Sequence, residues 1–471
     1  MFVKKPITSR SYLRELFLYV PVKVIPAMTI FVLLLYFIRT LPAEQYVKYS
    51  LSVSIAAISV QIFSGWLAAP IVYYLPAAVD RHKFLVHSLG LSLFFSFVSA
   101  IFGGLTAVIF MADVEASILV GLASFAISFA GVVAAINQAE RKVTVQIEIS
   151  FISSLALVGA VLVLFSLFRA DFRFGLFSLF FGQLSGSLLF LLRTRVPLGA
   201  LRKESLIEDF RLTFNQVFRY GSPLALWAGA MLVLNSGEKF FLTSSDIAAT
   251  YVSFKDLLIG AASLLSMPLI MTAHPLIFKV HREGGNVNIL IRSSATLLAI
   301  LFGVVWTTLS SFGFDILQRL TEKNFQLLGH SSFFVLAALY LSAIAIYYQK
   351  PLEIQARTLC LATSGAVTAL VALLAFAIFI PTYGPPAAAT VFFGCQVLYL
   401  FIVLRVGGTP VAALALPLLV FIGMIFFGEA LRELIQLFVQ DTASISFLGL
   451  WVTLYYVPVG LAFLKIAKSI V

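Results

Sequence analysis

Fourteen apolar runs, most of them about 20 residues long or longer, recur along the chain between charged, proline and glycine residues, and very few folds accommodate such a pattern. They fall at roughly 16–38, 47–75, 84–110, 114–136, 147–168, 172–192, 218–242, 248–278, 290–314, 331–349, 357–380, 384–405, 410–428 and 445–464. A bilayer core offers no water to backbone N–H and C=O groups, so each run must satisfy its own and is expected to be a membrane-spanning α-helix. Composition agrees: 61% of residues are hydrophobic and 11% charged, against about 45–50% and about 25% in soluble chains. The expected fold class is therefore an all-α polytopic membrane protein with about 14 transmembrane helices. The runs at 47–75 and 248–278 exceed a straight span and carry Pro70, Pro76, Pro268 and Pro275, which predicts tilting or kinking there.

Charge placement orients the helices. With the N-terminus inside and sides alternating, 22 of the 32 basic residues fall in cytoplasmic segments and 8 in outside ones. Both termini are then cytoplasmic. The net charge of +11 reads as topology signal and attraction to anionic headgroups, with no nucleic-acid partner expected. The N-terminal MFVKKPITSRSYLRE is basic but lacks a small-residue cleavage site after its apolar run, which is read as a retained first span. Cys360 and Cys395 sit inside apolar segments as packing residues, with no disulfide framework and no metal spacing. The motifs G-x-x-x-x-G-K-[ST], G-x-S-x-G and H-E-x-x-H are missing from the sequence, so neither an ATP-driven pump nor an enzyme is expected, and no cofactor.

The longest segment outside the apolar runs, 193–219, carries mixed charge (RKESLIEDFR) suited to a short surface helix. It divides the chain into an N-terminal six-helix lobe (1–192), this cytoplasmic linker, a C-terminal six-helix lobe (220–405) and two additional helices (406–471). An internal repeat supports the division. Tyr46 and Tyr251 open corresponding runs, and Pro70 and Pro275 each follow 24 residues later. Six helices per copy give both repeats the same orientation, and transporters often hold substrate between two such halves.

Three stretches carry a family resemblance: RTLPAEQYVKYSLSV from Arg39, YGSPLALWAGAMLVLNSGEKFFL from Tyr220, and TSSDIAATYVSF with MPLIMTAHPLIFKVHREGG after it. They resemble the turns and Pro-marked helix ends of bacterial polysaccharide (O-antigen or exopolysaccharide repeat-unit) flippases of the multidrug/oligosaccharidyl-lipid/polysaccharide exporter superfamily. Two departures stand out: Glu238-Lys239 where Asp-Arg is more usual, and Val47 where Gly is common. The resemblance implies two six-helix lobes around a central cavity plus two C-terminal helices. It further implies movement of an undecaprenyl-pyrophosphate-linked oligosaccharide from the cytoplasmic to the outer leaflet of a bacterial inner membrane by alternating access, coupled to an ion or to the membrane potential. Implied partners are the lipid-linked oligosaccharide, membrane lipids, H⁺ or Na⁺, and a polysaccharide polymerase with its chain-length regulator. Two rivals stand beside it: a drug/cation antiporter of the same superfamily, and a membrane glycan polymerase or ligase. Short outside loops disfavour the latter.

Charge at membrane depth is costly and marks substrate or ion paths. Lys23, about seven residues into the first run, either snorkels to headgroups or meets the pyrophosphate. Lys255 and Asp256 lie in the outer half of the run at 248–278; as helix neighbours about 100° apart they cannot simply neutralise each other, and each needs another partner. Either both face the substrate cavity, with Asp256 as the ion-coupling carboxylate, or both join structural interhelical ion pairs. Arg39, Glu238 and Lys239 fall where helices meet the outer surface, as an exit gate or as interfacial anchors. Gln61, with Ser59 and Ser64, makes a polar patch for sugar hydroxyls or for helix packing. His274, before Pro275, reads as a structural or headgroup residue. Gly182 and Gly186 have the small-xxx-small spacing of close helix contact.

Overall fold

The computed structural model describes residues 9–194, 206–242, 245–355, 357–437 and 449–470, and every regular element among them is helical. Thirteen helices there are long and apolar enough to cross a membrane, and the shorter apolar stretch Val24–Thr40 ends the first helix. The chain divides into two compact units. The first holds the chain up to Leu33 and Thr40–Val233; the second holds Leu34–Arg39 and everything from Leu234 onward.

The first unit takes most of α1 (Ser9–Thr40), then α2 (Ala43–Phe63), α3 (Ala68–Tyr74), α4 (Arg81–Met111), α5 (Val114–Ala139), α6 (Val143–Leu167), α7 (Phe172–Thr194) and most of α8 (Leu206–Ser236). Short polar residues set the helix ends. Asp80 accepts from the N–H groups of His82 and Lys83 at the start of α4, and Asp113 accepts from Ala116 N–H at the start of α5. Apolar side chains give little drive for helices to associate in lipid, so small residues bring backbones close. Ser96 and Ser128 hydrogen-bond at 2.6 Å between α4 and α5. Gly182, as its spacing predicts, lets α7 lie against α6, where an added Cβ would sit 2.8 Å from Leu157 Cβ.

Two sequence expectations shift here. The run 47–75 is not one kinked helix: it stops at Phe63, passes through a 3₁₀ turn at Gly65–Leu67 and resumes as α3. Pro70 has no N–H to give the Trp66 carbonyl four residues earlier, so the break falls one turn before the proline rather than at it. That carbonyl faces Gly221 of α8, where any Cβ would collide with it. The second shift is the start of α8, at Leu206 rather than near 218. Residues Thr213 and Val217 are buried, and Phe214 and Phe218 meet Trp66 edge-on (ring centroids 6.3 and 5.4 Å), so residues 213–218 carry an apolar face and belong to the helix. The linker residues 195–205 lie outside the described set.

The second unit comprises α9 (Asp246–Arg282), α10 (Val287–Thr308) with a π turn at Leu309–Gly313 leading into α11 (Phe314–Thr321), α12 (His330–Tyr348), α13 (Lys350–Ile354), α14 (Thr358–Tyr383), α15 (Pro385–Gly407), α16 (Ala415–Gln436) and α17 (Val457–Ile470). α9 runs as one helix through Pro268 and Pro275. α16 packs on α10, with Thr307 filling the space left by Gly428.

Candidate functional site: a cross-paired charge quartet

The charged residues of the second unit meet at one place because of how α8 ends. After Ser236 the chain makes a 3₁₀ turn, Gly237–Phe240, and α9 then begins at Asp246. Lys255 lies nine residues into α9, about 13 Å along its axis at 1.5 Å per residue. Its Nζ nevertheless donates to Glu238 Oε1 at 2.6 Å. The 3₁₀ turn therefore lies beside the third turn of α9 rather than beside its first residue. Glu238 and Lys239 are both buried, which corrects their expected position at the outer surface; Glu238, like Lys255, has an exposure of 0%.

The second pair is Lys239 Nζ to Asp256 Oδ1 at 2.7 Å, with side-chain exposures of 5% and 12%. Both pairs join residues 17 apart in sequence. Successive residues on α9 diverge by about 100°, so the two bridges point different ways: Glu238–Lys255 inward, and Lys239–Asp256 toward the less buried side. Each residue of the Lys255–Asp256 doublet thus finds the separate partner that helix geometry demands. Two lysines and two carboxylates leave the quartet without net charge.

Its surroundings are aromatic and amide. Lys255 Nζ lies 3.6 Å from the centre of the Phe392 ring on α15, a desolvated cation–π contact. One turn further along α15, Gln396 Nε2 donates to Asn235 Oδ1 at 2.9 Å, three residues before Glu238. Tyr251, one turn before Lys255, is fully buried. Among the described residues, Glu238 Oε2, Tyr251 Oη and Gln396 Oε1 are buried oxygens with no hydrogen-bond partner. Buried polar atoms are rarely left so, and one of the three is the second carboxylate oxygen of the Glu238–Lys255 pair itself.

The other sequence candidates are not drawn into the quartet. Arg39 pairs with Glu322 at 2.8 Å, both well exposed, which is the weak surface class of ion pair. Gln61 belongs to the first unit and is half-buried, its amide lying against Gly65. Ser59 and Ser64 return their hydroxyls to their own helix at Ile55 O and Val60 O, which leaves Gln61 as the polar group of that patch. Lys23 lies in α1, and its side chain is outside the described set. His274 is half-buried on α9 with its ring 5.0 Å from that of Phe278.

Glu238, expected from sequence only as an exit-gate or interfacial residue, is a second carboxylate of the site and is less exposed than Asp256. One signal was present: Glu-Lys followed 17 residues later by Lys-Asp, complementary at both positions. Reading it required knowing that the 3₁₀ turn lies beside the third turn of α9.

No family model and no curated protein matches the sequence. Solved structures do match in fold. A lipid II flippase, MurJ, in an inward closed conformation has a TM-score of 0.65 at 14% identity, covering 95% of this chain and 97% of its own. An inward-facing multidrug resistance MATE family transporter of the MOP superfamily gives 0.56 at 14% identity, covering 83% and 99%. A MATE in complex with MaL6 gives 0.53 at 14%, covering 85% and 96%. The chain thus has the fold of these polytopic transporters.

Proposed function

We propose that this protein is a flippase that carries an oligosaccharide linked to undecaprenyl pyrophosphate from the cytoplasmic to the outer leaflet of a bacterial inner membrane by alternating access. The observation that carries the reading is the sealed Glu238–Lys255 pair beside Lys239–Asp256, in a chain that shares a flippase's fold over nearly its whole length. Both termini are read as cytoplasmic from the Lys/Arg bias.

Closed ion pairs with one partly exposed member can act as a latch. Asp256 is the more exposed of the two carboxylates. A proton, or a cation that binds it, would release the Lys239 ammonium, and the released charge is a contact for the pyrophosphate in a site of low dielectric. Glu238–Lys255, with no exposure, opens second and at greater cost. Lys23, Gln61 and Arg39 remain candidates for the substrate path. A polymerase and chain-length regulator would take the product on the outer face.

The antiporter reading draws on the same fold, since MATE transporters share it. A drug cation needs uncompensated acid, however, and both quartet carboxylates already hold lysines. The test is reconstitution. Liposomes containing the purified protein and a sugar-labelled undecaprenyl-pyrophosphate oligosaccharide should lose external accessibility of the label to periodate with time. Accessibility identical to protein-free liposomes sinks the proposal.

A further inference from the structure

We propose that the outward end of α5 holds one diacyl phospholipid with a primary-amine headgroup, of the phosphatidylethanolamine kind. Two grooves lie side by side there in the first unit, and the exposed Ile118 of α5 lines both. The larger, about 540 Å³, has Leu119 of α5, Leu164 of α6 and Phe177 of α7 on its walls. The smaller, about 390 Å³, runs between α4 and α5 past Leu105 and Leu122. Both fall in the usual range of ligand sites, about 300–1,000 Å³. Two apolar grooves that share one side chain match the two acyl chains of a single lipid, with Ile118 as the ridge between them.

The grooves follow from how the helices pack. α7 lies along both α5 and α6, which make little contact with each other, and the larger groove is the space left between them. Gly104 and Gly121 shape the smaller one. A Cβ on Gly121 would sit 2.9 Å from the Ala100 carbonyl oxygen, so α4 and α5 approach closely and neither glycine fills the hollow beside them. Ile101, Leu105, Val114, Ile118 and Phe177 are all exposed on membrane-spanning helices, where apolar surface is covered by lipid chains.

Charge selects the headgroup. Glu115, Asp171 and Arg173, at the starts of α5 and α7, line the outward end of the larger groove. Arg173 donates to Glu115 Oε2 at 2.6 Å and to Asp113 Oδ2 at 2.7 Å, and its backbone N–H donates to Asp171 Oδ1 at 2.8 Å. Three carboxylates therefore share one guanidinium, a surplus of negative charge. Lys48, whose charge reaches Asp113, is itself held by Glu44 at 2.6 Å, and Arg169 lines neither groove. The Glu115 side chain is 75% exposed and open to a headgroup. A primary ammonium brings both the opposite charge and N–H donors for it. A choline headgroup has the charge but no N–H, and a glycerol headgroup sets its phosphate against the surplus acid. A second copy of the chain docked here about a twofold axis would bring two such acidic ends together. No charged residue lines the smaller groove, so one headgroup serves both chains. The Lys/Arg bias puts this end of α5 at the outer leaflet. The site stands apart from whatever the chain translocates.

The test is native mass spectrometry of the full-length protein, delipidated in detergent and titrated with palmitoyl-oleoyl phosphatidylethanolamine, the matching phosphatidylglycerol and phosphatidylcholine, and single-chain lyso-phosphatidylethanolamine. The diacyl ethanolamine lipid should be retained as one molecule per chain, about tenfold more tightly than each of the other three. Glu115→Gln should lose most of the headgroup preference, and Glu115→Lys should turn it toward phosphatidylglycerol. Both variants should fold, because the Glu115–Arg173 pair is of the exposed, weak class. Equal retention of the three diacyl lipids by wild type, a preference unchanged in Glu115→Lys, or a lyso form held as tightly as the diacyl one overturns the site. So does a particle of two chains without lipid. Translocation plays no part in the readout, so a failed liposome assay removes the flippase reading and leaves this site standing.

Discussion

Replacing Lys255 by Met keeps the length and apolar stem of the side chain over Phe392 and removes only its charge. Wild-type Lys255 lies 2.6 Å from Glu238 with both residues at 0% exposure, so the variant strands a carboxylate whose other oxygen already has no partner. Breaking a buried pair by removing one partner costs about 3–5 kcal/mol, which lowers the folded-to-unfolded ratio by two to more than three orders of magnitude. Replacing both partners with neutral groups is often close to neutral. Glu238→Gln combined with Lys255→Met should therefore recover most of the loss, giving a coupling energy of about 2 kcal/mol or more in a double-mutant cycle. The assay is reversible unfolding of the four purified proteins in one detergent, titrated with SDS and followed by circular dichroism. A Lys255→Met protein within about 1 kcal/mol of wild type, with no recovery in the double variant, would refute the reasoning.

Other perturbations follow from the same structure. Gly221→Ala places a Cβ against the Trp66 carbonyl, which is backbone and cannot swing away, so a loss of about 1–3 kcal/mol is expected in the same unfolding assay; an unchanged midpoint contradicts it. Arg39→Ala removes an exposed pair with Glu322 and should cost under about 1 kcal/mol, so a large stability change would mean Arg39 does more than anchor a surface. Burial pushes the Asp113 carboxyl up, but hydrogen bonds from Arg173 and the Ala116 N–H, with the Arg173 charge, outweigh it and hold it below the usual carboxylate range. A carboxyl lowered in the folded state stabilises the protein above its unfolded pKa of about 4 and loses that contribution as pH falls. Stability should thus decline below about pH 4 more steeply in wild type than in Arg173→Gln, and parallel curves would refute this. Asp256→Asn should make translocation insensitive to the pH gradient, and an unaltered gradient dependence would end its coupling role.

The helices were legible because lipid imposes a severe rule on sequence. A span must be apolar and must bond its own backbone, so runs such as 84–110 and 114–136 announce α4 and α5 with little ambiguity. Breaks and partners follow from contacts that one-dimensional reading lacks. Pro70 was visible, but the displaced break at Ser64–Leu67 depends on where the Trp66 carbonyl and Gly221 meet. The helical Leu206–Arg219 segment hides an apolar face among its charges, and Phe214 shows its purpose only beside Trp66. At the site, the requirement that Lys255 and Asp256 each have a separate partner followed from helix geometry. That the partners are Glu238 and Lys239 did not, because hydropathy puts those two at the end of a span and gives no sign that their 3₁₀ turn lies beside the third turn of α9.

The central claim is translocation of a lipid-linked glycan, and sidedness in cells tests it most directly. In a strain deleted for this gene, polyprenyl-linked oligosaccharide would be quantified by mass spectrometry, and a membrane-impermeant periodate treatment of spheroplasts would report the leaflet that holds it. The account predicts complete repeat units protected on the cytoplasmic face, released by the wild-type gene but not by Lys255→Ala expressed at equal level. Repeat units that accumulate on the outer face, open to periodate, would contradict it and assign the protein to a step after translocation.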